Sequence, residues 1–166
     1  QFGCLAMAIA PGGLVLESWL RELYEIGDST LSHDLNIRSA LGFERQRELE
    51  RVLRINAHSH IIKASDADIE WLYDLPQGAQ LDSIATDWSQ GGKLVVITRG
   101  GDGATLYLNG AKLHAAAPKI NLVDTVGAGD TFMANLLAEL DLLGALGAEP
   151  LARLANLDAA GLQRAA

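Results

Sequence analysis

The chain has 166 residues, 49% of them apolar and 20% charged, which is enough to bury one core and too apolar for a disordered segment. Twenty-one acidic against 13 basic residues leave a net charge of −8, which argues against a sequence-independent grip on nucleic acid. Phosphate binding through backbone N–H groups stays open, while the single cysteine, Cys4, excludes an intrachain disulfide and fits a reducing, cytoplasmic setting.

In chain order, Phe2 to Ile9 is apolar and is expected to form a buried strand, ended by the turn signal Pro11-Gly12-Gly13. The apolar stretch to Leu16 is too short to span a membrane and lacks the basic lead-in of a signal peptide. Leu14 to Ile26 has helical spacing, with Leu16, Leu20, Leu23 and Tyr24 on one side. After Gly27-Asp28, Ser29 to Ile37 reads as a strand and Glu44 to Ile55 as an amphipathic helix with a solvated charged face. Ser59 to Ala64 is a second short strand. Ser65 is placed to cap a helix over Asp66 to Tyr73, whose acidic first turn suits the helix dipole. A helix over Ala79 to Trp88 is closed by Gly91-Gly92.

Lys93 to Thr98 is apolar almost throughout, as expected of a parallel strand covered on both faces. Ala104 to Leu108 and Lys112 to Ala115 flank Asn109-Gly110, a type I′ hairpin signal. Helices are expected from Gly129 through Leu143 and over Leu151 to Arg164. Strands alternating with helices give an α/β fold with a mainly parallel sheet and an antiparallel edge.

Chemistry concentrates in Gly127-Ala128-Gly129-Asp130, which opens an apolar helix. Small residues at a helix start leave backbone N–H groups unshielded, and the dipole favours negative charge there. Asp130 sets a carboxylate beside that anion trap, the minimum needed to activate a hydroxyl for attack on a γ-phosphate. The same string also serves as ordinary helix punctuation. There is no P-loop, and Gly101-x-Gly103 lacks the third glycine of a dinucleotide fingerprint. His58 and His60 alternate without a third ligand and, like His33, are expected to be structural. Cys4 reads as a small buried apolar residue, and Trp19, Trp71 and Trp88 as core or helix-face residues.

Asp124-Thr125-Val126-Gly127-Ala128-Gly129-Asp130 resembles the Asp-Thr-x-Gly-Ala-Gly-Asp signature of the PfkB (ribokinase-like) family of carbohydrate kinases. Asp34-Leu35-Asn36-Ile37-Arg38 resembles that family's Asp-x-Asn-x-Arg strand end. Lys63 to Asp68 resembles the segment with its Asn-x-x-Glu motif, altered here to Ser65-x-x-Asp68. Val95 to Gly103 resembles its nucleotide-contacting strand and loop. The likeness runs through nearly the whole chain and is strongest to bacterial fructokinases.

The resemblance implies a ribokinase-like layered fold and ATP-dependent phosphorylation of a sugar hydroxyl. It makes Asp130 the catalytic base and a substrate contact, and the backbone of Gly127, Ala128 and Gly129 the anion hole. Thr98, Gly100, Gly103 and Asn156 would lie against ATP, and Arg38 would contact substrate. Asp68 would hold Mg²⁺ through water, and Asp124 and Thr125 would help bind a monovalent cation such as K⁺. A 2-keto-3-deoxygluconate kinase, a nucleoside kinase and a non-catalytic nucleotide-binding remnant are the alternatives. The partner implied is a small sugar, with no nucleic acid and no membrane; a homodimer of the full-length protein is compatible with it. Residues 1–166 resemble the C-terminal catalytic and nucleotide-binding part, with the N-terminal sugar-binding and lid half absent. The expected fold is therefore incomplete at both ends, and the chain alone is expected to be a poor kinase.

Overall fold

A computed structural model describes residues 1–119, 124 and 126–166. Six strands form one sheet in chain order: β1 (Phe2–Gly3), β2 (Ser32–Asp34), β3 (Ile61–Ser65), β4 (Leu94–Thr98), β5 (Ala104–Leu108) and β6 (Ala111–Ala115). The strands β1 to β4 are parallel, and β5 and β6 are antiparallel additions. The helices described are α1 (Cys4–Ala8), α2 (Gly12–Ile26), α3 (Arg45–Ala57), α4 (Asp66–Tyr73), α5 (Asp82–Trp88), α6 (Ala128–Leu142), α7 (Pro150–Ala155) and α8 (Ala159–Ala165).

Strand side chains alternate between faces, so β3 and β4 feed two cores. Ile62, Ala64, Val95 and Ile97 pack with Val52, Ile69, Leu72 and Trp88 beneath α3, α4 and α5. Ile61, Leu94, Val96 and Leu106 pack on the opposite face with Met133, Leu136, Leu140 and Leu162 from α6 and α8. Burial on both faces explains why these strands lack the polar alternation of a half-solvated sheet. Each fully buried isoleucine contributes about 1.5–3 kcal/mol of transfer free energy.

The β5–β6 turn has φ +51° at Asn109 and +79° at Gly110, as a type I′ turn demands. Gly27 ends α2 at φ +72°, its N–H bonded to the Leu23 carbonyl at 3.2 Å. Ser65 caps α4 as expected, and Asp68 completes a reciprocal capping box.

Three expected elements differ. Within the run Phe2 to Ile9 only Phe2–Gly3 pairs in the sheet, and Cys4–Ala8 is helical. That pentapeptide, Cys-Leu-Ala-Met-Ala, contains no β-branched residue, and four of its five residues are among the better helix formers. The expected helix Leu151 to Arg164 is two helices, because Asp158 turns its side chain onto the Gly161 N–H at 2.7 Å and starts α8 afresh. The sheet strand expected over Ser29 to Ile37 shortens to Ser32–Asp34, although the Leu35 N–H still reaches the Lys63 carbonyl at 2.9 Å.

Candidate active site

In open α/β sheets ligands settle beyond the carboxyl ends of the parallel strands. Here those ends include Asp34, Ser65 and Thr98, and the first turn of α6 comes near them, with Gly129 against the Lys63 ammonium and Ala128 and Gly129 lining one cavity with Thr98. Gly127, at φ +75°, turns the chain into α6 as its N-cap without any side-chain cap. The Thr131 N–H is bonded to the Gly127 carbonyl at 2.8 Å, while the earlier amides of the turn precede any intrahelical acceptor. Asp130 stands in this first turn, solvent-exposed.

The turn borders a cavity of about 270 Å³ whose wall joins Thr98, Gly100 and Gly103 to Ala128, Gly129 and Phe132. The fold thus brings two distant stretches of the chain to one concavity. The Thr98 hydroxyl donates to the Ala64 carbonyl at 3.4 Å, which steadies it at the strand end. Gly100 has φ +49° and open space where a Cβ would stand. Gly103 differs: at φ +90° an added Cβ would fall 2.0 Å from the Ala115 carbonyl oxygen. Its first task is to let the end of β6 pass close over the loop.

Asp68 is 8% exposed and doubly engaged. One carboxylate oxygen accepts the Ile37 N–H at 2.8 Å and the other the Ser65 N–H at 2.8 Å. It therefore ties the end of the β2 segment to the start of α4. Arg38 follows Ile37 and is solvent-exposed. Asp124 accepts the Val126 N–H at 3.0 Å, and Thr125 lies outside the described residues. Among the described residues no three His, Cys, Asp or Glu side chains are grouped to hold a metal ion. Asn156 does not line this cavity: it ends α7, and its neighbours Ala155 and Leu157 line a separate hollow with Leu108 and Asn109 at the hairpin end of β5.

A pair given no role from sequence lies beneath the turn. The Lys63 Nζ donates to both oxygens of Asp34, at 2.9 and 3.1 Å, with both side chains 6% exposed. Burial pushes the Asp34 carboxyl above its ordinary range against the pull of Lys63, and Asp68 and Asp130 push the same way. In the sequence each member shows only as a charged residue on a strand, and nothing joins the two until β2 and β3 are in register.

His33 and His60 are held inside the fold. His60 Nδ1 accepts the Leu31 N–H at 2.9 Å, and its ring stacks on Tyr24 at 4.7 Å. His33 lies 2.8 Å from the Asn56 side-chain oxygen Oδ1 through Nδ1, with Nε2 3.4 Å from the Cys4 sulfur. Burial holds His33 at about 4 and pushes the Cys4 thiol up to about 12, so neither is charged near neutrality.

Comparison with known proteins bears on this site. The profile of the pfkB family carbohydrate kinases matches residues 10–161. A fructokinase of Rhizobium leguminosarum bv. trifolii is 38% identical over 143 residues, covering 86% of this chain and 42% of that protein. The crystal structure of aminoimidazole riboside kinase from Salmonella enterica, complexed with aminoimidazole riboside and an ATP analog, superposes with a TM-score of 0.75. It is 27% identical and is matched over 99% of this chain and 50% of its own. A sugar kinase from Pyrococcus horikoshii in complex with ATP gives a TM-score of 0.67 at 26% identity, over 84% of this chain and 42% of its own. The chain spans about half the length, or less, of these relatives.

Proposed function

The chain belongs to the PfkB family of carbohydrate kinases, and on that premise we propose that it is the C-terminal catalytic and nucleotide-binding part of an ATP-dependent sugar kinase. The observation that carries this reading is the uncapped start of α6, where Ala128 and Gly129 line the cavity that runs to Thr98 and Gly103 and Asp130 follows them in the first turn. Fructose is the favoured acceptor, supported by the likeness to the Rhizobium fructokinase.

In this reading ATP lies along the cavity, with its terminal phosphate on the amides of Gly127, Ala128 and Gly129. The backbone amides and the helix dipole stabilise negative charge on the transferred group. Asp130 accepts the proton of the sugar hydroxyl as its oxygen attacks the γ-phosphorus, and ADP departs. Mg²⁺ suits this site as an ion carried by the phosphates. Asp68 has one N–H on each carboxylate oxygen and keeps a lone pair on each, which fits contact with the ion through water. Arg38, exposed next to Ile37, is available to meet substrate or phosphate. The other half of the relatives' length would supply remaining sugar contacts and exclude water.

The test is ADP release with Mg²⁺, K⁺ and ATP, with and without fructose. It is run on this chain alone and on the chain joined to the N-terminal half of the Rhizobium fructokinase. Fructose-dependent release in the joined protein, falling about a hundred- to ten-thousand-fold in Asp130→Asn, is the expected result. MgATP binding without acceptor-dependent release in the joined protein would instead identify a nucleotide-binding remnant. The likeness to aminoimidazole riboside kinase favours a riboside acceptor as the second reading. Release with that riboside and none with fructose would establish it.

A further inference from the structure

We propose that Lys63 is a charge-positioning residue of the phosphate site, its ammonium held under the first turn of α6 by Asp34 and shared with an anion that docks there. The inference rests on the reading of that turn as the ATP phosphate site.

Asp34 and Lys63 are register partners on β2 and β3, and both side chains point to the α6 face of the sheet. A Cβ added to Gly129 would lie 3.0 Å from Lys63 Nζ, so the ammonium touches the backbone of the turn itself. Glycine at this position therefore has two effects: it bares the amides on the outside and admits the ammonium from the inside.

A cation at a helix N-terminus opposes the dipole, and a buried ion pair is commonly no more stabilising than an apolar pair of the same size. Stability is thus a poor reason for this pair to stand here. Electrostatics supply a better one. Asp34, Asp68 and Asp130 lie near enough that the last two raise the Asp34 carboxyl, and three carboxylates alone would repel a triphosphate. Lys63, bonded to the innermost of them, offsets that field where phosphate charge must enter. A phosphate oxygen then takes over part of the ammonium's hydrogen bonding from Asp34.

The experiment is calorimetric titration of the 166-residue chain with sodium tripolyphosphate and with MgATP, at low and moderate ionic strength. Wild type is compared with Asp34→Asn, and with Asp34→Asn combined with Lys63→Met, which leaves no unpaired buried charge. Asp34→Asn, with a freed ammonium, is expected to bind tripolyphosphate at least as tightly as wild type. The double variant is expected to bind it ten-fold or more weakly, with a shallower salt dependence. If both variants weaken binding alike with the wild-type salt dependence, the pair is only structural and the proposal falls, while MgATP binding keeps the kinase reading. If the double variant fails to fold, Asp34→Asn decides alone: weaker binding than wild type overturns the proposal. Tripolyphosphate binding with the expected charge pattern but no MgATP binding leaves Lys63 standing and removes the kinase reading. A wild-type chain that binds neither probe overturns both.

Discussion

At Gly103, φ is +90° and a Cβ would collide with the Ala115 carbonyl, the Ala117 nitrogen and Ala116. Strain and overlap act together, so Gly103→Ala should destabilise the chain by about 3 kcal/mol or more, measured by urea unfolding. Gly100→Ala meets open space and carries only the cost of its positive φ, about 1 kcal/mol. His33 gives a second residue-scale prediction. Its folded pKa of about 4 lies below the 6.5 of an unfolded histidine. Between these values the unfolded chain binds the proton and the folded chain does not. Its contribution is therefore complete above about pH 6.5 and is lost as the solution is acidified towards 4. Unfolding free energy at pH 5 should be lower than at pH 7.5 by about 2 kcal/mol from this group, an interval that shrinks in His33→Gln.

Among the elements, α4 shows most clearly what local sequence can dictate. Ser65 and Asp68 satisfy each other's backbone N–H groups, and Asp68 also holds Ile37. Ser65→Ala should cost about 1 kcal/mol, whereas Asp68→Ala should cost more, since it also frees the Ile37 N–H from its acceptor. Equal losses in thermal denaturation would mean that the Asp68–Ile37 link adds nothing. Caps, the Asn109-Gly110 turn and the apolar runs of β3 and β4 are legible because their causes lie within a few residues. Cys4–Ala8 was not, since a short apolar run suits strand and helix equally until neighbours decide. The break at Asn156–Asp158 was legible in principle, Asp158 being a good N-cap, but periodicity across it masked the signal. In the candidate site, the glycine turn opening α6 with Asp130 in its first turn could be read directly, and the family likeness pointed to Thr98, Gly100 and Gly103, which line one cavity with Ala128 and Gly129. The Lys63–Asp34 contact could not be read, because it exists only once β2 and β3 are in register. Nor could the distance of Asn156 from the cavity, which depends on how α7 packs.

On the scale of the whole molecule, the β1 side of the sheet carries the conspicuous apolar surface. Leu14, Val15 and Trp19 of α2 are 72, 68 and 57% exposed, beside a two-residue edge strand. Exposed apolar area next to an open edge favours association. Light scattering should show oligomers whose population rises with concentration. Val15→Lys with Trp19→Glu should shift it towards monomer, and an unchanged distribution would place the contact elsewhere. The two cores on opposite faces of the sheet also close at different times. Strand order follows chain order, so each strand emerging from a ribosome finds its partner already made. The face holding Ile61, Leu94, Val96 and Leu106 is another matter, for its cover is α6 and α8, which follow all six strands in the chain. A nascent chain halted before Ala128 would carry a paired sheet with one bare oily side, the species that a chaperone or a protease would meet first.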